Sequence, residues 1–169
     1  MKRRGWFLND RRPTIRRKCY ESLLETRDVR ADELLPSTTE DEDAIQKVVS
    51  DYYQAFVRDP VAAASYYGEP SLVVLPQEVK ALRHRADIET FLANGRDALL
   101  ARGYLNTKMQ ASRVKKLNQS TALYGTVAVR MKTDGTELER AAFTYLLHKG
   151  SSGWKIHELI ATDVNSLVS

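Results

Sequence analysis

The stretch that decides the fold runs from residue 104 to residue 162 and reads YLNTKMQASRVKKLNQSTALYGTVAVRMKTDGTELERAAFTYLLHKGSSGWKIHELIAT. Polar and apolar side chains alternate along it, which is typical of strands. We predict four long strands, over residues 104–116, 120–132, 137–149 and 154–162. The breaks between them are Asn118-Gln119, Asp134-Gly135 and Gly150-Ser151-Ser152-Gly153. Because an Asp-Gly pair between alternating segments is a strong hairpin signal, consecutive strands are predicted to be antiparallel.

Two helices are predicted ahead of the strands. Over residues 40–58, apolar side chains recur at helical spacing, at Ile45, Val48, Val49, Tyr52 and Phe56. Thr39 and Glu42 fit a capping box at the start of this helix. Asp59-Pro60 ends it, and Pro60 opens a short second helix toward Tyr67.

The segment that follows predicts a turn, two short strands and a third helix. Gly68-Glu69-Pro70 has the composition of a turn. Ser71–Leu75 and Val79–Leu82 are short apolar strands, and Ala86–Arg102 is helical. Helices first and antiparallel strands later indicate an α+β fold, in which the long twisted sheet folds around the helices to bury its apolar face.

The net positive charge of the chain lies in its first 38 residues. The chain has 169 residues and a formal net charge of +4. Residues 1–38 hold ten basic and six acidic residues, and residues 39–169 hold sixteen of each. We predict a basic, partly disordered arm over residues 1–38 and one domain over residues 39–169.

Three interpretations of the arm stay open. It is a solvated extension, a contact for RNA, DNA or an anionic surface, or a segment that packs on its own domain or on a second subunit. The neutral balance of the domain itself disfavours a nucleic-acid partner there.

Several function classes lack their sequence signals. One cysteine, Cys19, excludes an internal disulfide and a multi-cysteine zinc site. His84, His148 and His157 have no metal-ligand spacing, and there is no glycine-rich phosphate loop or nucleophile elbow. No apolar run approaches the roughly 18 residues that span a bilayer. We therefore expect a cytoplasmic protein with no membrane span, no metal site and no cofactor.

Three segments of the domain resemble the nuclear transport factor 2-like superfamily, including its SnoaL-like members. They are Ala44-Ile45-x-x-Val48-Val49-x-x-Tyr52-Tyr53-x-Ala55-Phe56, Ala86-Asp87-Ile88-Glu89-x-Phe91-Leu92 and Gly153-Trp154-Lys155-Ile156. The resemblance covers about residues 40–163. It implies a cone-shaped α+β barrel, in which a curved mixed or antiparallel sheet wraps around three helices and encloses an internal pocket. It also implies a homodimer through the outer sheet face, to which Val127, Val129 and Leu146, with His157 nearby, would contribute.

The two last turns predict which residues lie opposite each other. A two-residue Asp134-Gly135 turn predicts the pairs Arg130–Glu139, Ala128–Ala141, Thr126–Phe143 and Tyr124–Tyr145. A four-residue loop over residues 150–153 predicts the pairs Lys149–Trp154, Leu147–Ile156, Tyr145–Glu158 and Phe143–Ile160. Tyr124, Tyr145 and Glu158 would then form one row across three strands.

The resemblance implies that this row faces the pocket. The ligand-binding residues it suggests are Tyr53, Tyr124, Arg130, Tyr145, Glu158 and Thr162. Burial would raise the pKa of Glu158, which could then act as a general acid or base while Tyr145 donates to a developing oxyanion. Many SnoaL-like relatives carry histidines where this chain has Glu158 and Ile160. The alternative is that Tyr145 and Glu158 are a polar pair that closes a packed or solvated sheet.

Three functions follow from these observations. The first is a SnoaL-like domain that binds a small hydrophobic molecule in a conical pocket. The second is a cofactor-free isomerase, cyclase or dehydratase that uses Glu158 with Tyr145 and Tyr124. The third is a dimeric assembly or interaction domain with a filled cone. Fold alone does not choose among them.

Overall fold

The elements of the domain follow the predicted order closely. A computed structural model of the protein describes residues 39–166, so the predictions for residues 1–38, including Cys19, lie outside the described part. The helices are α1 (Thr39–Arg58), α2 (Pro60–Ala64) and α3 (Arg85–Leu100). The strands are β1 (Tyr67–Leu75), β2 (Glu78–Leu82), β3 (Tyr104–Lys116), β4 (Thr121–Lys132), β5 (Glu137–Gly150) and β6 (Gly153–Thr162). A short 3₁₀ helix, Val164–Ser166, follows β6.

The six strands form one open mixed sheet in the order β2-β1-β6-β5-β4-β3. The β1–β6 pair is parallel and the other four pairs are antiparallel. Parallel pairing needs a crossover, and the chain between β1 and β6 supplies it with β2, α3 and the long hairpins. The predicted α+β class, with a mixed sheet and three helices, is confirmed.

The core lies between the helices and one face of the sheet, called here the inner face. Ile45, Val49, Tyr52 and Phe56 of α1 are buried in one cluster with residues of the inner face, such as Ile156. These positions repeat at the helical period, so one side of α1 is apolar and the other meets water. No helix within residues 39–166 is long and apolar enough to cross a membrane.

The β4–β5 register is as predicted, although the turn that joins the strands is not. The Lys132 amide donates to the Thr136 carbonyl at 2.8 Å, and the Gly135 amide donates to the Lys132 carbonyl at 3.0 Å. The loop therefore has three residues, with Gly135 at a φ of +83°, which favours glycine. A bulge between Arg130 and Met131 compensates for the extra loop residue. As a result Arg130 still lies opposite Glu139, and all four predicted β4–β5 pairs are present.

The β5–β6 register departs from the prediction halfway along the strands. Lys149 pairs with Trp154 and Leu147 pairs with Ile156, as expected. The register then shifts by one residue, so that Leu146 pairs with Glu158 and Tyr145 pairs with Leu159. His157 is the extra residue of this bulge. Since strand side chains alternate, Leu159 takes the inner face and Glu158 the opposite, outer face.

The structural cause of this shift lies on the neighbouring strand. The predicted turn at Gly68-Glu69-Pro70 is wrong, because these residues belong to β1, whose pairing with β6 is irregular between Tyr67 and Leu72. The His157 ring covers Gly68, where an added Cβ would lie 2.2 Å from Nε2. The Nδ1 atom of His157 donates to the Pro70 carbonyl oxygen at 3.0 Å. The two irregularities therefore face each other and hold each other in place.

One carboxylate ties the start of α1 to the sheet. Asp41 accepts hydrogen bonds from Lys116 Nζ at 2.5 Å, Lys149 Nζ at 2.8 Å and Trp154 Nε1 at 3.3 Å. The hydrogen bonds of Lys116 and Lys149 hold the pKa of Asp41 well below its usual range, although burial opposes them. These contacts join α1 to β3, β5 and β6 at one end of the core.

We expect Gly68→Ala to destabilise the protein by about 1–3 kcal/mol, because the new methyl group would overlap the His157 ring. Urea unfolding measures this loss. Replacing His157 with Ala in the same chain removes the overlap. The double variant should therefore lose less free energy of unfolding than the sum of the losses in the two single variants.

Gly95→Ala is the matched control, because a Cβ at that helical position meets no heavy atom within 4 Å. It should be neutral or stabilising, since alanine favours helix. A Gly68→Ala protein as stable as the wild type would contradict the packing of His157 on Gly68.

Candidate ligand cavity

A cavity of about 340 Å³ lies between α1, α3 and the inner face of the sheet. Its wall is mainly aromatic and aliphatic, and comprises Tyr52, Tyr53, Phe56, Leu75, Phe91, Leu92, Gly95, Ala98, Leu99, Phe143, Tyr145 and Leu159. The remaining lining residues are Arg102, Thr107 and Arg130. Among the described residues that line it, none carries a carboxylate or an imidazole. A mainly apolar wall with a few polar groups is typical of small-molecule sites.

Tyrosines from α1 and β5 meet at the cavity wall. The hydroxyls of Tyr53 and Tyr145 lie 2.8 Å apart and share a hydrogen bond. The Tyr52 ring packs edge-on against the rings of Tyr145 and Tyr67, with centroids 6.2 and 5.4 Å away. Such edge-on contacts are favoured between aromatic rings. Tyr52 and Tyr53, which are neighbours in α1, both line the wall, and their ring centroids lie 5.3 Å apart.

Burial raises the pKa of each of these phenols. It raises the pKa of Tyr52 to about 12, and it raises the pKa of Tyr53 further, despite the lowering effect of the hydrogen bond from Tyr145. The pKa of Tyr145 also lies well above its ordinary value, first because of burial and then because of the neighbouring phenols. At neutral pH these hydroxyls are protonated, so they can donate and accept hydrogen bonds without carrying charge.

Charged side chains occur where the cavity wall approaches solvent. Arg102, just beyond the end of α3, and Arg130 of β4 both donate to the carboxylate of Glu139 on β5. The Arg130 guanidinium also lies over the Phe143 ring, 5.6 Å from its centroid. Burial alone would raise the pKa of Glu139, but the hydrogen bonds and charges of the two arginines outweigh it and lower the pKa. We call Arg102, Arg130 and Glu139 the arginine rim.

Three of the six predicted ligand-binding residues line the cavity, namely Tyr53, Arg130 and Tyr145. Tyr124 lies next to them, with its ring centroid 6.3 Å from that of Tyr145. It is fully buried and its hydroxyl donates to the Met109 sulfur at 3.4 Å, so it supports the wall from behind.

Glu158 and Thr162 lie on the outer face. The bulge at His157 turns Glu158 away from Tyr145, so the predicted row of Tyr124, Tyr145 and Glu158 is wrong at its third member. Thr162 lies opposite Ala142, which alternates with the cavity residue Phe143. The sequence offers no local signal for this bulge, because its cause is contact with Gly68 on β1, which neighbours β6 in the sheet but is far from it in sequence.

Sequence reasoning missed several residues of the site. Phe91, Leu92, Gly95 and Leu99 were recognisable as one face of a helix, but only the fold places that face along a cavity. Arg102 was missed entirely. No spacing in the chain reveals that it meets Glu139, which lies 37 residues away in sequence.

The fold and the cavity define a class, the α+β domains in which a curved sheet and helices enclose a cavity. The chain belongs to the family described as NTF2-like protein (DUF6841), whose model matches residues 40–164. This finding confirms the resemblance to the nuclear transport factor 2-like superfamily. No curated protein matches the sequence.

Solved structures with the same fold come from several organisms. A Nostoc punctiforme domain of unknown function with a cystatin-like fold is 22% identical, with a TM-score of 0.63 over 78% of this chain and 84% of that one. An NTF2-like protein from Novosphingobium aromaticivorans is 17% identical, with a TM-score of 0.60 over 75% and 83%. The yeast UBP3-associated protein BRE5 is 20% identical, with a TM-score of 0.57 over 72% and 94%. At these identities the likeness shows the fold alone.

Tyr52, Tyr53 and Tyr145 form a tyrosine cluster, and their raised pKa values lead to a prediction for alkaline pH. The raised pKa of Tyr52, about 12, means that stability from its burial is complete below the ordinary phenol pKa of 10 and is lost as pH rises toward 12. The pKa values of Tyr53 and Tyr145 are also raised, so the stability from their burial is lost in the same direction as pH rises. Urea unfolding between pH 9 and pH 12 should therefore give a steeply falling free energy of unfolding.

The double variant Tyr53→Phe/Tyr145→Phe should flatten this fall, by up to about 1.4 kcal/mol per pH unit for each phenol removed. Tyr66→Phe, which removes a half-buried hydroxyl away from the cavity lining, is the control. The same slope in the double variant and in the wild type would contradict the cluster's role.

Proposed function

We propose that this protein binds a small hydrophobic molecule in the cavity between α1, α3 and the inner sheet face. The observation that carries the proposal is the composition of the wall, which is aromatic and aliphatic around the hydroxyls of Tyr53 and Tyr145. A cavity of about 340 Å³ lies within the range of small-molecule sites. An apolar body would replace water along the wall, and the phenols would orient a polar group.

The position of Glu158 favours binding over the proposed acid–base chemistry. A general base must reach the proton it abstracts, and Glu158 lies on the outer face, opposite Leu146. The phenols that line the cavity have an ordinary pKa near 10, which burial raises further, so they are protonated at neutral pH. They suit hydrogen bonding to a ligand better than proton abstraction.

A fluorescent probe tests the proposal. N-phenyl-1-naphthylamine is a neutral, apolar molecule that we expect to bind the wild-type protein at a single site with increased emission. Gly95→Phe should weaken this binding roughly tenfold or more, since Gly95 lines the cavity and an added Cβ there meets no heavy atom within 4 Å, which leaves room for the phenyl ring to take the space of the probe.

Leu100→Phe, on the same helix but 45% exposed and outside the lining, is the matched control and should bind the probe as the wild type does. Equal binding by Gly95→Phe and wild type would contradict the site. Absence of binding in all three proteins would contradict the proposed function.

We also propose that two copies pair through the outer sheet face. Half-buried apolar side chains line up there on neighbouring strands, at Leu72 and Val74 of β1, Ile160 of β6, Leu146 of β5 and Val129 of β4. A contiguous apolar patch on the surface of a folded chain is typical of a contact with another protein. Val127, expected at this interface, is only 3% exposed in the single chain and would add little.

Sedimentation velocity tests this pairing. The wild type should sediment as a dimer, and Leu146→Glu should shift it to a monomer because the new carboxylate would be buried in the interface. Val61→Glu, at a 54% exposed apolar position on α2, should leave the dimer intact. A monomeric wild type at high concentration would overturn the proposal.

A further inference from the structure

The arginine rim carries more positive than negative charge. Two guanidinium groups, of Arg102 and Arg130, share the single carboxylate of Glu139. Both arginines line the cavity, whereas Glu139 does not. The lining itself, as far as the described residues go, holds no acidic side chain to balance them. The three side chains together leave one unit of positive charge beside an apolar wall.

The hydrogen bonds to Glu139 use only part of each guanidinium. Arg102 donates through one terminal nitrogen and Arg130 through one terminal nitrogen. Within residues 39–166 no other hydrogen bond of either group is found. A guanidinium has five N–H donors in a planar fork that matches carboxylate and sulfonate oxygens, so donors remain for a ligand anion.

The rim is also held in place. The Arg130 side chain is 19% exposed and lies over the Phe143 ring, which restricts its conformations. A donor that is already ordered loses less conformational entropy when it binds. Charge-assisted hydrogen bonds are stronger than neutral ones, particularly where the low-polarity cavity wall excludes water.

We propose that the ligand is an amphipathic anion, whose carboxylate or sulfonate group binds Arg130 and Arg102 while its apolar body fills the cavity. This inference rests on the proposed binding function and adds the charge class of the ligand. Glu139 occupies one donor of each guanidinium, and its negative charge competes with that of the ligand.

Two probes with the same aromatic body test the charge class. 1-Anilinonaphthalene-8-sulfonate carries a sulfonate that N-phenyl-1-naphthylamine lacks. The wild type should bind the sulfonate probe roughly tenfold or more tightly than the neutral one. Added salt should weaken binding of the sulfonate probe and leave binding of the neutral probe unchanged. Gly95→Phe should weaken both, which places both probes in the cavity.

Variants of the arginine rim test whether its charge causes the preference for the sulfonate probe. Arg130→Met should abolish the preference for the sulfonate probe, measured as the ratio of the dissociation constants of the two probes in the same protein. Arg102→Met, at a 51% exposed side chain that tolerates substitution, should reduce the preference by several-fold. Glu139→Gln should increase it, because the competing charge is removed. Arg140→Met makes the same charge change on the outer face of β5, opposite Val129, and should retain the full preference.

The outcomes distinguish this inference from the function on which it rests. If the wild type binds both probes equally, or if Arg130→Met and Arg140→Met behave alike, the anionic class is wrong and the hydrophobic site stands. If Glu139→Gln leaves the preference unchanged or lowers it, Glu139 does not compete and the inference fails. If neither probe binds, both proposals fall.

Discussion

The packing of the His157 ring on Gly68 is the constraint on which the cavity depends. It inserts one extra residue into β6 and thereby reverses the faces of every side chain from Glu158 onward. Leu159 becomes part of the cavity wall and Glu158 is turned to the outer face. Side chains alternate between the two faces along a strand. One inserted residue therefore places the apolar Leu159 at the wall, where an unbulged strand would place the ionisable Glu158. The chemistry available to the cavity is therefore set by a contact outside it.

The two ends of the inner sheet face differ in polarity, and this difference explains where a cavity can exist. At one end, Asp41 of α1 accepts hydrogen bonds from Lys116, Lys149 and the Trp154 indole, and these bonds connect α1 to three strands. At the other end, Arg102 and Arg130 meet Glu139, and the Arg102 side chain stays half exposed. The tyrosine cluster lies between the two groups and supplies hydroxyls without charge. The result is an apolar cavity with a charged rim, which suits a ligand that has an apolar body and one charged group.

The fold itself is shared by proteins with little sequence in common. A bacterial domain of unknown function and the yeast UBP3-associated protein BRE5 both adopt it at 20–22% identity. A common sheet and helix arrangement requires only apolar residues at the right period, and many sequences satisfy that. Function must therefore be argued from the particular side chains that line this cavity, chiefly the phenols and the two arginines.

The sequence by itself determined the order of the elements and the α+β class. These depend on local signals, such as the helical repeat from Ile45 to Phe56 and the alternation of polar and apolar residues along the last four strands. The β4–β5 register agrees with the prediction because the bulge between Arg130 and Met131 compensates for the extra loop residue. The resemblance to the nuclear transport factor 2-like superfamily also suggested Tyr53, Tyr145 and Arg130 as pocket residues, and all three line the cavity. Only the tertiary structure decided the places of Glu158, Thr162 and Arg102. A β-bulge arises from contact between distant strands, and an ion pair joins residues far apart in sequence, so neither leaves a pattern in the neighbouring residues from which it could be predicted.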